Sequence, residues 1–483
     1  MIGGETQLQI DKIWEMFWVG GIANPLTMIE QLIYLLFLKS LDEKQDVYDQ
    51  EAKRLGIAPQ QIFLETQQDF RWKYLKEMPE QDMFDVISQK VFPFLKTIHP
   101  NTDSAFSMYM QDALFLIPTP HMLAKIMNSI DELKLDSNDS KGDMYEYLLS
   151  TISQAGKNGQ FRTPRHIIDL MVHLIKPVPT DVICDPSCGT GGFLVAASEY
   201  IKKEFPEIQN NIDILYHVNN YMFYGYDTDR TMLRIGAMNL MLHGIENPNI
   251  IYKNSLSEQN TDHEKYTVIF ANPPFKGILD HESIAPSLLE MTNTKKTEIL
   301  FLNLILRSLQ IGGRCAVIVP SGITTNETSM HHGLRKSLIE DHQLEAVIEL
   351  PGGVFRPYTG VSTAIMIFTK TGTGGTEYVW FYQMTSDGYS LDDKRTPLPQ
   401  NDIDDIKQRF LDLNKEKSRD RNDQSFLVHR DEIKEHHYIL SYDTYKNIVY
   451  FSPVYEKPAK ILEKIISIEK EVQSLIDDIK NKV

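Results

Sequence analysis

The stretch whose reading decides the fold is Val182-Ile183-Cys184-Asp185-Pro186-Ser187-Cys188-Gly189-Thr190-Gly191-Gly192-Phe193-Leu194. It reads as a short strand, a glycine loop and the first turn of a helix. Glycines let backbone approach a ligand closely where a Cβ would collide. The spacing carries neither an intact nicotinamide G-x-G-x-x-G fingerprint nor a Walker loop, because no Gly-Lys-Ser/Thr follows. A carboxylate, Asp185, stands at the strand end instead. Downstream, Phe223-Tyr224-Gly225-Tyr226-Asp227 is a second strand ending in a carboxylate. An acidic residue in that place can accept hydrogen bonds from both hydroxyls of a ribose. The pair suits a nucleoside without phosphates. S-adenosylmethionine is such a ligand, and its sulfonium and amino cations favour an acidic pocket. The plain competitor is a tight strand–helix turn with no ligand, since glycine-rich turns are common.

Outward from this loop, short β-branched runs alternate with helical stretches. The runs are Val182–Cys184, Met222–Tyr226, Ile250–Tyr252, Val268–Ala271, Cys315–Pro320, Ala346–Glu349, Ala364–Thr369 and Tyr378–Gln383; helices are predicted over Gly192–Lys203, Asp229–His243 and Ile299–Leu309. Such alternation implies an α/β fold with a doubly wound, mostly parallel sheet. Ligands of such sheets lie beyond the carboxyl ends of the strands.

One of those ends carries Asn272-Pro273-Pro274-Phe275. Two successive prolines remove two N–H donors and stiffen the loop. What remains is rich in acceptors, the Asn272 amide oxygen and the Pro273 carbonyl oxygen, with Phe275 as a flat apolar face. The exocyclic amine of adenine is a poor nucleophile, because its lone pair is delocalised into the ring. Two acceptors on its two N–H groups would draw it towards a pyramidal, nucleophilic geometry, ready for in-line attack on a sulfonium methyl. Phe275 would stack on the base once it had been flipped from the duplex. A rigid proline turn is the plain competitor, but it must coincide by chance with the glycine loop.

The first 140 or so residues read as helical, with apolar periodicity over Ile29–Leu41 and at Met122, Ile126, Ile130 and Leu133. Trp14, Phe17, Trp18, Phe84, Phe92 and Phe94 are expected to form an aromatic core. Asp136-Ser137-Asn138-Asp139-Ser140-Lys141-Gly142 is a turn-rich boundary. At the other end Ile461, Ile465, Ile468, Val472, Leu475 and Ile479 make a heptad seam on a predicted helix over Pro458–Lys480. The seam needs cover, either from this chain's own body or from helices of a partner. The net charge is −17, awkward for an enzyme that grips DNA alone, because phosphate contacts dominate such affinity. A partner that supplies much of the grip resolves the conflict. The three cysteines, Cys184, Cys188 and Cys315, lack the partners of a zinc site and read as buried, inert thiols; their odd, low number fits a reducing cytoplasm. No metal site is expected. No signal-peptide pattern opens the chain, and the most apolar run, Leu32–Leu38, is too short to cross a bilayer.

Together the glycine loop and the Asn-Pro-Pro-Phe loop resemble those of the γ group of amino-group DNA methyltransferases. The wider chain is similar to the modification subunit of type I restriction–modification systems. Gly159-Gln160-Phe161-Arg162-Thr163-Pro164-Arg165 resembles that family's segment over the methionine end of the cofactor. Gly312–Pro320, Ile348–Phe355 and Thr363–Phe368 resemble its later motifs, and Asp387-Gly388-Tyr389-Ser390-Leu391-Asp392-Asp393-Lys394-Arg395 looks like a segment typical of type I modification subunits. The resemblance implies a Rossmann-like, S-adenosylmethionine-dependent methyltransferase domain over residues 143–425. An all-α domain over residues 1–142 precedes it, and a tail over 426–483 carries a partner-binding helix. It implies transfer of methyl to N6 of adenine in duplex DNA. Catalysis would fall to Asn272, Pro273, Pro274 and Phe275. The cofactor would be held by Gln160, Phe161, Arg162, Thr163, Pro164, Arg165, Asp185, Ser187, Gly189, Thr190, Gly191, Gly192, Asp227, Asn254 and Ser255. At Asn254 many relatives carry an acidic residue that binds the cofactor's adenine amine; here the Asn254 amide oxygen stands in. The implied partners are duplex DNA and a specificity subunit, with two modification subunits for each, and the presence of a restriction nuclease subunit is left open. Two other readings remain: a stand-alone amino-methyltransferase acting on DNA, RNA or a protein glutamine, and a scaffold that has kept the fold but lost catalysis.

Overall fold

In the computed structural model, residues 4–97, 110–133, 144, 147–148, 163–277, 281–447 and 458–480 are described. They fall into two compact units, Met1–Tyr445 and Lys446–Val483.

The first unit opens with helices α1 (Gly4–Val19), α2 (Pro25–Leu55) and α3 (Pro120–Glu132). The Asn24 side chain caps the start of α2 by accepting from Leu26 N–H, and Gly56 ends it in the left-handed conformation. Thr119 caps α3 in the same way. Behind α2, Arg71 is buried and pairs at once with Asp42 (2.5 Å), Asp46 (2.5 Å) and Asp49 (3.1 Å) of that helix. Ile10, Phe17, Ile29, Leu32, Phe92 and Ile126 sit in the core of this helical layer, with Trp14, Phe84 and Phe94 packed against it. Trp18 departs from the expected aromatic core: it is 60% exposed. The boundary expected at 136–142 lies outside the described residues.

The rest of the unit is built on one nine-stranded sheet. Its strands are β1 (Ile183–Asp185), β2 (Phe223–Asp227), β3 (Asn249–Tyr252), β4 (Tyr266–Ala271), β5 (Leu309–Pro320), β6 (Gln343–Leu350), β7 (Thr363–Thr369), β8 (Tyr378–Gln383) and β11 (Ser425–His429). A separate hairpin pairs β9 (Asp387–Tyr389) with β10 (Pro397–Asn401). The order across the sheet is β11-β8-β6-β7-β5-β4-β1-β2-β3. Strands β1 to β5 run parallel, β7 lies antiparallel between β5 and β6, and β11 closes one edge antiparallel to β8. Strands such as β4, with Val268, Ile269, Phe270 and Ala271 all buried, carry apolar side chains on both faces because helices cover both. Those helices include α4 (Arg165–Ile175), α5 (Gly192–Glu204), α6 (Ile212–Asn220), α7 (Arg230–Leu242), α8 (Thr297–Ser308), α9 (Ser329–Glu340) and α10 (Ile403–Phe410).

Helix α7 joins the two halves of the unit. Met232, Ile235, Met238 and Leu242 on one face belong to the core of the helical layer. On the same helix Arg234 donates to Tyr34 Oη (3.2 Å) and pairs with Glu30 (3.4 Å), both on α2. The expected division at 425/426 falls inside β11, whose five residues pair with β8, so the sheet runs past that point and the compact unit ends only at Tyr445.

The second unit holds helix α11 (Pro458–Lys480). Of the predicted seam, Ile461, Ile465, Ile468, Val472 and Leu475 are exposed there, and the side chain of Ile479 lies outside the described part. No described helix is long and apolar enough to cross a membrane.

Candidate active site

The chain order of the sheet reverses at β1, which lies between β4 and β2. At such a switch point a crevice opens beyond the carboxyl ends. The loops after four strands, β1 to β4, lie at this edge.

The glycine loop follows β1. Asp185 is buried, and its Oδ1 accepts from Ser187 N–H at 3.0 Å. Burial pushes the Asp185 carboxyl up to about 7; the Ser187 N–H opposes the rise and the charge of Asp227 adds to it. Gly189 and Gly191 hold positive φ, 50° and 75°, so the chain can turn into α5 without strain. A Cβ built on Gly189 would meet nothing within 4 Å, so open space lies over the loop. Beneath it α7 comes close: a Cβ on Gly236 would stand 3.0 Å from Gly189 O, and Asn239 Nδ2 donates to Thr190 O at 3.0 Å.

Asp227 ends β2 and accepts three backbone N–H groups: Gly189 at 3.0 Å, Thr228 at 2.7 Å and Asp229 at 3.0 Å. The first of these ties the second acidic strand end to the glycine loop. The helix cap belongs to Asp229, which accepts from Thr231 and Met232 at the start of α7. After β3, Ser255 Oγ donates to Pro186 O at 2.6 Å, joining a third strand end to the same loop. Asn254 Oδ1 accepts from Leu256 N–H at 3.1 Å, a local turn.

Beyond β4 stands the Asn-Pro-Pro-Phe loop. Strand β4 stops there because Pro273 and Pro274 cannot continue the ladder. Asn272 Nδ2 donates to Thr163 Oγ1 at 2.8 Å, whereas Asn272 Oδ1 is buried with no hydrogen-bond partner among the described residues. Pro273 is buried and Pro274 exposed. Phe275 meets the buried Phe355 edge to face, with ring centroids 5.6 Å apart. Phe355 lies in the loop between β6 and β7, so that loop forms the wall behind Phe275.

The segment before β1 divides. Gln160, Phe161 and Arg162 lie outside the described residues. Thr163 reaches the Asn272 amide, and Pro164 precedes the first turn of α4. Arg165 turns to carboxylates of two helices, Asp169 (2.9 Å) and Glu199. His166 Nε2 meets Oδ2 of the fully buried Asp387 at 2.8 Å, stacks on Tyr389 at 4.7 Å, and Arg395 pairs with the same carboxylate. From that hairpin Asp393 pairs with Arg356 (2.8 Å), and Leu391 O lies 2.5 Å from where a Cβ of Gly353 would be. The hairpin therefore holds both the Thr163 segment and the loop of Phe355. Sequence reasoning did not find Phe355 as the wall or the His166–Asp387 contact. The two ends of that contact are 221 residues apart; the segment of Asp387 carried a signal, but His166 lies one residue past the Gly159–Arg165 segment. The three cysteines are free and buried, and burial pushes each thiol well up, so none is a ready nucleophile.

The fold thus brings two acidic strand ends, a glycine loop and an acceptor-rich proline loop to one edge of the sheet. Residues 136–450 match the family model of N-6 DNA methylases, and residues 6–130 match that of the HsdM N-terminal domain. The chain belongs to the N-6 DNA methylase family. It is 29% identical over 432 residues to the EcoEI type I restriction enzyme methylase subunit of Escherichia coli, covering 86% of this chain and 84% of that one. It is 27% identical over 415 residues to the EcoKI methylase subunit of Escherichia coli K12, covering 80% and 73%. In fold it is like the methyltransferase subunit of a type I restriction–modification system from Streptococcus thermophilus, with a TM-score of 0.69, 18% identity, and 92% and 100% of the two chains covered.

Proposed function

We propose that this chain is the modification subunit of a type I restriction–modification complex, and that it methylates N6 of adenine in duplex DNA from S-adenosylmethionine. The observation that carries the chemistry is the Asn272 amide, whose donor end is engaged by Thr163 while its acceptor end has no partner among the described residues. An exocyclic amine offers donors, and a buried lone acceptor is the group that takes one. The Pro273 carbonyl, at the same strand end, supplies the second. Phe275, braced by Phe355, stacks on the extruded ring.

The residues present fit the cofactor. Open space lies over Gly189, and two carboxylates, Asp185 and Asp227, face a ligand that carries cationic sulfonium and amino groups. When bound, S-adenosylmethionine supplies an electrophilic methyl. Asp227 accepts from the ribose hydroxyls, Asp185 offsets positive charge, and Ser187, Gly189, Thr190, Gly191 and Gly192 let the backbone approach. In the proposed function Asn254 and Ser255 take the adenine end of the cofactor, and the Gln160–Arg165 segment its methionine end.

The type I assignment rests on the amino-terminal match to the HsdM domain, on the relatives, and on the seam of α11. The partner is a specificity subunit that reads the target, two modification subunits to each. A chain of net charge −17 is then relieved of most of the phosphate grip. Work on chromosomal DNA places it in the cytoplasm. The test is transfer of labelled methyl to duplex DNA with and without the specificity subunit. Transfer to adenine N6 only in the assembled complex is expected; robust transfer by the chain alone, or transfer to RNA or protein glutamine, refutes the proposal.

A further inference from the structure

We infer that Thr163 is a positioning residue for the methyl-accepting base: it makes the productive orientation of the Asn272 amide tenable. The inference rests on the assignment of Asn272 to the target amine. A primary amide has an acceptor end and a donor end. For Oδ1 to receive an N–H from adenine, Nδ2 must point the other way, into the protein. A buried N–H with nothing to accept it is costly. The structure places one acceptor there, Thr163 Oγ1, at 2.8 Å and 109 residues away in sequence. Thr163 is itself buried, 8% exposed, so water does not readily take its place. Donation from Nδ2 also draws electrons through the amide and leaves more negative charge on Oδ1, the atom that must polarise the amine.

The hydroxyl is delivered from a rigid corner. Pro164 restricts Thr163 to extended backbone, and helix α4 begins at Arg165. One residue on, His166 is held to Asp387, which is fully buried and paired with Arg395. The Thr163 hydroxyl is thus anchored by the β9–β10 hairpin, which also braces the loop of Phe355 through Arg356–Asp393. The resemblance implied that this segment packs over the methionine end of the cofactor; the contact made by Thr163 is with the residue that meets the base.

The experiment compares Thr163→Val, Thr163→Ala, Thr163→Ser and Asn272→Ala in the assembled modification complex. Val keeps the shape and removes the acceptor; Ser keeps the acceptor. With Val and Ala, kcat at saturating cofactor and DNA is expected to fall about 10- to 100-fold. The KM for DNA and the calorimetric Kd for S-adenosylmethionine should stay within about threefold, and 2-aminopurine at the target position should still brighten on binding, because extrusion does not need the hydroxyl. Ser should recover at least about tenfold of the rate lost with Val. Should Val fail to fold, the Ala–Ser pair decides by the same criterion. A wild-type rate for Val or Ala, a loss that Ser does not recover, or a loss confined to cofactor affinity overturns the role of Thr163. Retained activity in Asn272→Ala instead overturns the reading of the site itself.

Discussion

Asp227→Ala separates two duties that the structure loads on one carboxylate. Asp227 accepts from Gly189, Thr228 and Asp229 N–H groups, and the proposed function adds the ribose hydroxyls. Thr228 is exposed and Asp229 half-buried, so water can replace the lost acceptor for these two. Gly189, half-buried in the glycine loop, is the costly one, at about 1–2 kcal/mol of stability. That corresponds to a melting point lower by only a few degrees in a chain of this size. Loss of the ribose contact, a hydrogen bond to a charged acceptor, adds about 1.5–3 kcal/mol to the free energy of cofactor binding. The expected outcome is a Kd for S-adenosylmethionine weaker by about 10- to 150-fold, read by titration calorimetry at a temperature well below the transition, alongside a modest drop in a thermal melt. A melt that falls while Kd is unchanged would make Asp227 a brace for the loop and nothing more, and the ribose assignment would fail.

Asn272→Ala should abolish methyl transfer and leave cofactor affinity within about threefold by calorimetry, because the proposed function turns the amide to the base and not to the donor; a large loss of affinity would show the residue misassigned. Cofactor affinity should rise with pH. The Asp185 carboxyl, pushed up to about 7 by burial, is largely protonated below that value and attracts a cationic ligand only when ionised, so Kd should fall several-fold between about pH 6 and about pH 8. Asp185→Asn should flatten the profile, and an unaltered slope would assign the dependence elsewhere. Removing Pro458–Val483 should leave the thermal melt and cofactor binding of the remaining chain unchanged but impair assembly with the specificity subunit. Assembly at full affinity with a lowered melting point would instead place the seam of α11 in this protein's own core.

The parallel half of the sheet was legible because its signals are local. Val268–Ala271 is a buried strand by composition and Asn-Pro-Pro ends it; observed β4 begins only two residues earlier, at Tyr266. Helix α9 carries no clear apolar stripe, because its buried face includes His331 and Arg335 where apolar residues are expected. Arg335 is fully buried, and its Nε and Nη1 donate to the carbonyls of Tyr438 (2.6 Å), Ile323 (2.8 Å) and Asn326 (2.9 Å), none of which local periodicity can anticipate. In α6, Ile212 and Tyr216 face outward, 83% and 59% exposed, which blurs the stripe. Strand β11 lies in a charged stretch without a strand pattern; it becomes a strand because β8, rich in aromatics, offers an open edge. In the site, the loops themselves were visible, but their coupling was not. Thr163 with Asn272, His166 with Asp387 and Phe275 with Phe355 are pairings made by the fold between segments far apart in the chain.

The antiparallel β7 has a consequence for the birth of the enzyme. Within the sheet β6 bonds only to β7 and β8, so it cannot join the strands already made until Thr363–Thr369 has been synthesised and slips in against β5. On the ribosome, the glycine loop, Asp227 and Asn272 emerge first, while the open flank of β5 waits. Phe355, carried between β6 and β7, reaches its place only when that flank closes, and the β9–β10 clamp follows later still. A half-made chain therefore carries the glycine loop and Asn272 without the wall that Phe355 forms behind Phe275.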